Sequence, residues 1–116
     1  MNEHEKINYV EFPATDLAKT KAFFSKVFAW TFHDFGPEYC AFFGAGLKGG
    51  FYQSDLSATT ASGSALIVFY SKDLEATLAK IELNSGQVVK PIFSFPGGRR
   101  FHFSDPSGNE FAVWSE

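Results

Sequence analysis

The order of apolar and polar positions predicts a strand, a helix and three further strands in the first half of the chain. Residues 7–12 alternate between polar and apolar, which is the period of a half-buried strand. Pro13 is expected to stop this strand, and the side chain of Thr15 or Asp16 to cap the helix that follows. The apolar positions of 17–27 fall mainly on one helical stripe. Three short strands are then predicted at 30–34, 39–43 and 48–53.

The second half of the chain repeats this order. The nearly continuous apolar run at 65–70 is typical of a strand that is covered on both sides. Asp73 is expected to cap a helix over 74–84, as Asp16 does in the first half. Three strands follow, near 87–93, 99–104 and 110–115. The repeat predicts an α+β fold of two βαβββ modules, about 7–53 and 65–115, with the small polar residues 54–64 as linker.

Composition and charge narrow the possible classes of protein. The 116 residues form one domain, 1–116, and no apolar stretch is long enough for a transmembrane helix. Ten basic and thirteen acidic residues are spread along the chain, so neither nucleic acid nor a membrane is expected as a partner. The start lacks the pattern of a secretory signal, and the single cysteine, Cys40, cannot form an internal disulfide. A cytoplasmic location is therefore the expectation.

Two segments carry a resemblance to a known family. They are VEFPATDLAKTKAFFSKVFAW at 10–30 and GGRRFHFSDPSGNEFAVWS at 97–115. Together with the doubled βαβββ order, they resemble the vicinal oxygen chelate superfamily, which contains glyoxalase I, bleomycin-resistance proteins and extradiol dioxygenases. The resemblance covers nearly the whole chain. It implies a cupped, incomplete mixed β-barrel with its helices on the outer face.

The same resemblance implies a place for a divalent metal ion. Metal-dependent members hold the ion with His, Glu or Gln from the first and fourth strand of each module. Those positions fall on Tyr9, Gly50, Leu66 and Ala112 in this sequence. None of the four is a normal ligand for such an ion, so no metal or other cofactor is predicted. The alternative is one divalent metal held by displaced ligands, for which Glu11, His102 and Glu110 are the candidates.

Strand alternation predicts which side chains face the open side of the sheet. We call the last two predicted strands, 99–104 and 110–115, the closing hairpin. Their apolar side chains are expected to face the helices, and the side chains on the opposite face include charged and aromatic groups. Ligand pockets combine apolar or aromatic walls with a few placed polar groups. The candidate ligand-binding residues are Tyr9, Glu11, Tyr52, Arg100, His102, Glu110 and Trp114.

The roles of the charged candidates remain open at this stage. Glu11 is either an ion-pair partner of Arg100 or His102, or a catalytic base. His102 is either a general acid or base, or simply hydrogen-bonded to Glu11 or Glu110. Arg100 has the geometry to hold a carboxylate or phosphate, or it solvates a strand end. Glu11 and His102 are thus the candidate catalytic residues, and whether the protein is an enzyme stays undecided.

Three functions follow from this pattern. The first is a homodimeric, metal-free protein that binds a small organic ligand, aromatic or anionic, between aromatic walls. The second is an enzyme: a divalent-metal-dependent lyase or dioxygenase with displaced ligands, or a metal-free acid–base isomerase. The third is a structural dimer without a small-molecule function. Fold alone does not choose among them.

Overall fold

A computed structural model describes residues 2–116. These residues form two helices and eight strands, in the order βαβββ–βαβββ. The first module contains β1 (Val10–Ala14), α1 (Leu17–Phe28), β2 (Thr31–Asp34), β3 (Tyr39–Phe43) and β4 (Gly49–Gln53). The second contains β5 (Ile67–Tyr70), α2 (Leu74–Leu83), β6 (Gln87–Phe95), β7 (Gly98–Ser104) and β8 (Glu110–Ser115).

Aspartates begin both helices, as the sequence predicts. The Asp16 side chain accepts a hydrogen bond from the Lys19 backbone N–H, and Asp73 accepts one from Ala76. Each satisfies a helical donor that would otherwise lack a partner. Ala29 ends α1 in the left-handed conformation, with φ at 60°. The internal repeat in the sequence thus includes one helix in each half, and each helix begins at an aspartate N-cap.

The strands form two separate four-stranded sheets with equivalent topology. Their orders are β1-β4-β3-β2 and β5-β8-β7-β6. In each, the first strand runs parallel to the last strand of its module, and the other pairs are antiparallel. Within residues 2–116 no ladder joins the two sheets, so no barrel closes. The predicted α+β fold of two βαβββ modules is confirmed.

The apolar faces of both sheets pack on one core that α1 links. The Phe24 ring stacks 5.4 Å from Phe51 of β4 and lies edge-on, 5.6 Å from Phe111 of β8. Phe23 of the same helix lies 6.1 Å from Phe103 of β7. All of these rings are almost fully buried. Since side chains alternate along a strand, the polar faces lie on the side of each sheet away from this core.

Pro13 does not end β1, contrary to the sequence prediction. The strand continues to Ala14, and Pro13 sits opposite Tyr52 in the parallel pairing with β4. β1 is an edge strand, with β4 on one side only. A proline is tolerated there because its missing N–H removes no bond of a central strand.

The 54–64 segment is a hydrogen-bonded loop rather than a free linker. Ser57 Oγ donates to the Ser107 carbonyl at 2.6 Å, and the Ala58 N–H donates to Asn109 Oδ1 at 2.8 Å. Both bonds tie the loop to the turn between β7 and β8. No helix among the described residues has the length and hydropathy to cross a membrane.

Candidate functional site

The predicted site residues lie on two polar faces, one on each sheet. We call the face formed by Tyr9, Glu11, Tyr39 and Tyr52 the tyrosine face. The face formed by Arg100, His102, Glu110 and Trp114 is the arginine face. Within residues 2–116 no hydrogen bond or ion pair joins a side chain of one face to the other.

Arg100 lies among aromatic rings on the arginine face. Its guanidinium carbon is 5.4 Å from the Phe93 ring centroid and 5.8 Å from that of Phe95. Such rings attract a cation through their negative faces. Its neighbour Arg99 points the other way and forms a two-pronged ion pair with Glu75 of α2, at 2.7 and 3.2 Å. Arg100 makes no ion pair among the described residues, and its Nε is buried without a partner.

His102 and Glu110 form a buried pair two register steps apart on β7 and β8. Only 3% of His102 and 8% of Glu110 is exposed, and His102 Nδ1 lies 2.8 Å from Glu110 Oε2. The other oxygen, Oε1, accepts from the backbone N–H and the hydroxyl of Thr60, both at 2.9 Å. The bond from His102 lowers the pKa of Glu110, with Thr60 acting in the same direction and burial opposing them. His102 Nε2 is buried and has no hydrogen-bond partner among residues 2–116.

Further aromatic side chains extend the arginine face. Trp114 lies edge-on to Tyr70 of β5, with centroids 5.2 Å apart, and 6.3 Å from Phe95 of β6. Lys90 of β6 sits opposite His102 in the register, with its ammonium 5.9 Å from the Phe93 ring. The arginine face of the second sheet thus combines cations with aromatic rings.

The tyrosine face carries a chain of hydroxyl groups that ends on a carboxylate. The Tyr9 and Tyr39 hydroxyls are 2.6 Å apart, and Tyr39 donates to Glu11 Oε2 at 2.8 Å. Because that proton goes to Glu11, Tyr9 is the donor in the first bond. Burial raises the pKa of the Tyr39 phenol, and the bonds to Tyr9 and Glu11 raise it further. The remaining lone pairs of Tyr9 and Glu11 make this face an acceptor of hydrogen bonds.

The residues at the family's metal positions do not fit a divalent ion. Gly50 and Ala112 offer no donor atom, and Leu66 is an apolar residue beside β5 that lines an apolar groove. At Gly50 even the space for a ligand is filled, because a Cβ there would collide with the Tyr39 hydroxyl. Tyr9 supplies one phenol, which already bonds to Tyr39.

The displaced set of ligands is not assembled within one chain. Glu11 lies on the first sheet, whereas His102 and Glu110 lie on the second and bond to each other. Among the described residues no three His, Cys, Asp or Glu side chains cluster as a metal site would require. The ion pair of Glu11 with Arg100 or His102, one of the two roles left open for Glu11, is absent from the described residues of the single chain for the same reason.

The pairing of His102 with Glu110 is one of the alternatives left open by the sequence, and it is present. Tyr52 sits opposite Tyr39 in the pairing of β3 with β4, on the tyrosine face. Trp114 sits opposite Arg100 in the pairing of β7 with β8. The seven candidates thus divide into three on the first sheet and four on the second.

Sequence reasoning missed Tyr39, Thr60 and Phe93. Alternation in 39–43 could have placed Tyr39 on the polar face, but only the β3–β4 register brings it next to Glu11. No sequence signal connects Thr60 with Glu110, because loop packing makes that contact. Thr60 reaches His102 only through Glu110.

Solved structures with the same fold include three that match almost the whole chain. The fosfomycin resistance protein FosX from Listeria monocytogenes has a TM-score of 0.80 and 19% identity, covering 98% of this chain and 95% of that one. A glyoxalase-related enzyme from Fulvimarina pelagi has a TM-score of 0.79 and 14% identity, covering 97% and 88%. Lactoylglutathione lyase from Agrobacterium tumefaciens has a TM-score of 0.72 and 18% identity, covering 97% and 95%. At these identities the likeness shows the fold.

No curated protein matches the sequence. A sequence model of one family does match, over residues 6–113, which is nearly the full chain. The doubled βαβββ topology and the structural neighbours agree with that match. The chain therefore belongs to the Glyoxalase/Bleomycin resistance protein/Dioxygenase superfamily.

Proposed function

We propose that this protein binds a small aromatic carboxylate on the arginine face, as a homodimer and without a metal ion. The observation that carries the proposal is the environment of Arg100. Its guanidinium lies against two phenylalanine rings, has no carboxylate partner among the described residues, and leaves Nε buried and unsatisfied. A bound carboxylate supplies the missing acceptor, and the rings supply an apolar wall.

The charge and aromatic content of the face support this class of ligand. Lys90 adds a second cation beside Phe93, and Trp114 with Tyr70 adds two more rings. Glu110 is occupied by His102 and Thr60, and the Glu116 carboxylate accepts a hydrogen bond from the Tyr70 hydroxyl at 3.0 Å. An anionic ligand therefore meets at Arg100 a cation that forms no ion pair with any carboxylate of the described residues.

The dimer is proposed because the two faces are complementary. The tyrosine face presents acceptors and the Glu11 carboxylate, while the arginine face presents cations. Tyr9 and Tyr70 are exposed aromatic residues on the two faces, and β1 and β5 are free sheet edges. Free edges and opposite charge favour pairing of copies. We place the tyrosine face of one protomer over the arginine face of its partner, so that the pair encloses the ligand.

The matched pair Arg100→Ala and Arg99→Ala tests the binding site. Titration calorimetry with phenylacetate is expected to show binding to the wild type and to Arg99→Ala. Arg100→Ala should weaken it by about 1.5–3 kcal/mol, the range of a hydrogen bond to a charged group. Phenylacetamide, which keeps the ring but lacks the charge, should bind the wild type weakly. Equal losses in the two arginine variants would contradict the site.

Elemental analysis tests the absence of a metal requirement. FosX has been solved with Mn(II) and a dihydroxypropylphosphonic acid, so the fold accommodates an ion and a small anion. The positions that the family resemblance assigns to the metal ligands carry Tyr9, Gly50, Leu66 and Ala112 in this chain. The purified protein is expected to contain far less than one equivalent of Mn, Fe, Ni or Zn per chain. A full equivalent that survives dialysis would reverse the proposal.

A metal-free acid–base isomerase is the second candidate, favoured by the free Nε2 of His102. A base at this position would remove a proton from the carbon next to the ligand's carboxylate. Proton NMR of phenylacetate in deuterated water tests it. Loss of the methylene signal that is faster with wild type than with His102→Gln would favour the isomerase, and equal rates would favour a binding protein.

A further inference from the structure

The strongest unexplained feature of the arginine face is a relay of three residues. Thr60 donates two hydrogen bonds to Glu110 Oε1, and Glu110 Oε2 bonds to His102 Nδ1. The relay ends at His102 Nε2, a buried atom without a partner. Thr60 belongs to the loop between the two modules, so this loop and the second module together hold one imidazole.

The relay determines which nitrogen of His102 carries the hydrogen. An ionised carboxylate only accepts hydrogen bonds, so Nδ1 must be the donor to Glu110. The lowered pKa of Glu110 keeps it ionised at neutral pH. In the neutral imidazole Nε2 then has a free lone pair and accepts. Because Thr60 holds the other oxygen from two directions, Glu110 cannot turn away from His102 without breaking three bonds.

The neighbours of Nε2 do not satisfy it. Arg100 lies two residues away on the same face of β7, yet its Nε is also unpartnered. The Phe93 ring lies 5.9 Å from the imidazole and is apolar. A buried acceptor without a donor is costly, and it is commonly satisfied by a ligand or water. One ligand that reaches both atoms must accept from Arg100 and donate to His102.

We propose that Thr60 and Glu110 hold His102 as a hydrogen-bond acceptor, and that the carboxylate ligand of Arg100 carries a hydroxyl group that donates to His102 Nε2. This rests on the proposed function and narrows its ligand class to aromatic hydroxy acids. Thr60 and Glu110 are positioning residues, and His102 accepts the hydrogen bond from the ligand's hydroxyl group. The pair of Arg100 and His102 thereby distinguishes a hydroxy acid from the same acid without the hydroxyl.

Nitrogen NMR tests the relay without any ligand. At about pH 8, where an ordinary imidazole is neutral, the wild type should show His102 with Nδ1 protonated and Nε2 unprotonated. Glu110→Gln should shift His102 toward a mixture of the two tautomers, since an amide can donate or accept. Thr60→Val should shift it in the same direction, whereas Thr59→Val, whose hydroxyl bonds to Ser62, should not. Protonated Nε2 in the wild type would overturn the relay.

Binding of three related acids tests the ligand class. Mandelate and 4-hydroxyphenylacetate differ from phenylacetate by one hydroxyl each. At least one should bind the wild type about tenfold more tightly than phenylacetate, as expected for a donor that satisfies a buried acceptor. His102→Phe should abolish that preference, so that the three acids bind this variant with affinities within about twofold of one another. If that variant does not fold, Glu110→Gln should reduce the preference instead.

The outcomes separate this inference from the proposed function. If phenylacetate binds and neither hydroxyl improves affinity, the hydroxy-acid inference is overturned and the Arg100 site stands. If none of the three acids binds, both are overturned. The NMR result decides the tautomer in either case.

Discussion

The hydroxyl of Tyr39 lies in the space that a side chain on Gly50 would need. A Cβ built at Gly50 would collide with that hydroxyl, and would lie 2.6 Å from Tyr39 Cζ and 2.8 Å from the Cys40 carbonyl oxygen. The glycine therefore makes room for the bonds of Tyr39 to Tyr9 and Glu11. The fourth-strand position that the family resemblance assigns to a metal ligand is thus a glycine that leaves space for the Tyr39 phenol.

Gly50→Ala tests this relationship through stability. Overpacking should lower the free energy of unfolding by about 1–3 kcal/mol, measured by urea denaturation. Adding Tyr39→Ala should restore part of the loss, because the ring no longer occupies the space. Tyr39→Phe keeps the ring over position 50 and should restore less. Equal restoration by the two Tyr39 variants would place the clash on the hydroxyl alone, and no restoration by either would place it on the Cys40 carbonyl.

Asp105 in the β7–β8 turn should make stability depend on pH. Burial raises its pKa to about 6, while bonds from Asn109 and Ser107 oppose the shift. The folded state thus holds this proton more tightly than the unfolded chain, whose carboxyl has a pKa near 3.8. The contribution of Asp105 to stability is greatest below about pH 4 and falls as pH rises through about 6, by about 3 kcal/mol in total.

Denaturation curves of the wild type and Asp105→Asn across this pH range check the sign. The wild type is expected to lose stability, relative to the variant, as pH rises from about 4 to about 6. A wild type that gains relative stability over the same range would show that the bonds from Asn109 and Ser107 outweigh burial.

Asn109 should be far more important for stability than an exposed asparagine. Its amide donates to the Pro13 carbonyl at 2.7 Å and its Oδ1 accepts from the Ala58 N–H, joining β1, the 54–64 loop and the turn. Asn109→Ala leaves buried polar groups without hydrogen-bond partners and should lower the free energy of unfolding by about 2–3 kcal/mol. Asn84→Ala, which removes one exposed bond at the end of α2, should cost less than about 1 kcal/mol. Calorimetric unfolding of both variants measures the two losses of stability. Similar losses in the two variants would contradict the structural role of Asn109.

Mixing two inactive variants tests whether the site spans two chains. Tyr9→Asp adds a second carboxylate beside Glu11 on the tyrosine face, and Arg100→Ala removes the guanidinium from the arginine face. If the faces of two protomers meet, a mixed dimer contains one intact site and one doubly altered site. Refolding the two variants together should restore phenylacetate binding at about a quarter of the sites.

The controls for this mixture are each variant refolded alone, and a light-scattering measurement of mass. Neither variant alone should regain binding. A mixture that stays inactive although it contains mixed dimers would mean that the tyrosine face of one protomer does not complete the arginine face of its partner. A monomeric wild type would remove the proposed dimer altogether.

Several features of the candidate site could be predicted from the alternation of apolar and polar residues in the closing hairpin. Phe101, Phe103 and Phe111 are buried in the core, so Arg100 and His102 must face the other side. The capped helices followed equally from Asp16 and Asp73. Pro13 was misread because its effect depends on whether the strand is central or at an edge, which is a property of the sheet and not of the residue.

The amino-acid sequence by itself determined the order of elements, the internal repeat and the side of each strand that is polar. These follow from local periods of 2 and 3.6 residues and from caps a few residues away. Only the tertiary structure decided that Tyr39 reaches Glu11 and that Thr60 reaches Glu110. It also decided that the seven candidates divide between two sheets. Contacts between residues 28 and 50 positions apart depend on strand register and loop packing, which the free energy of the whole core selects.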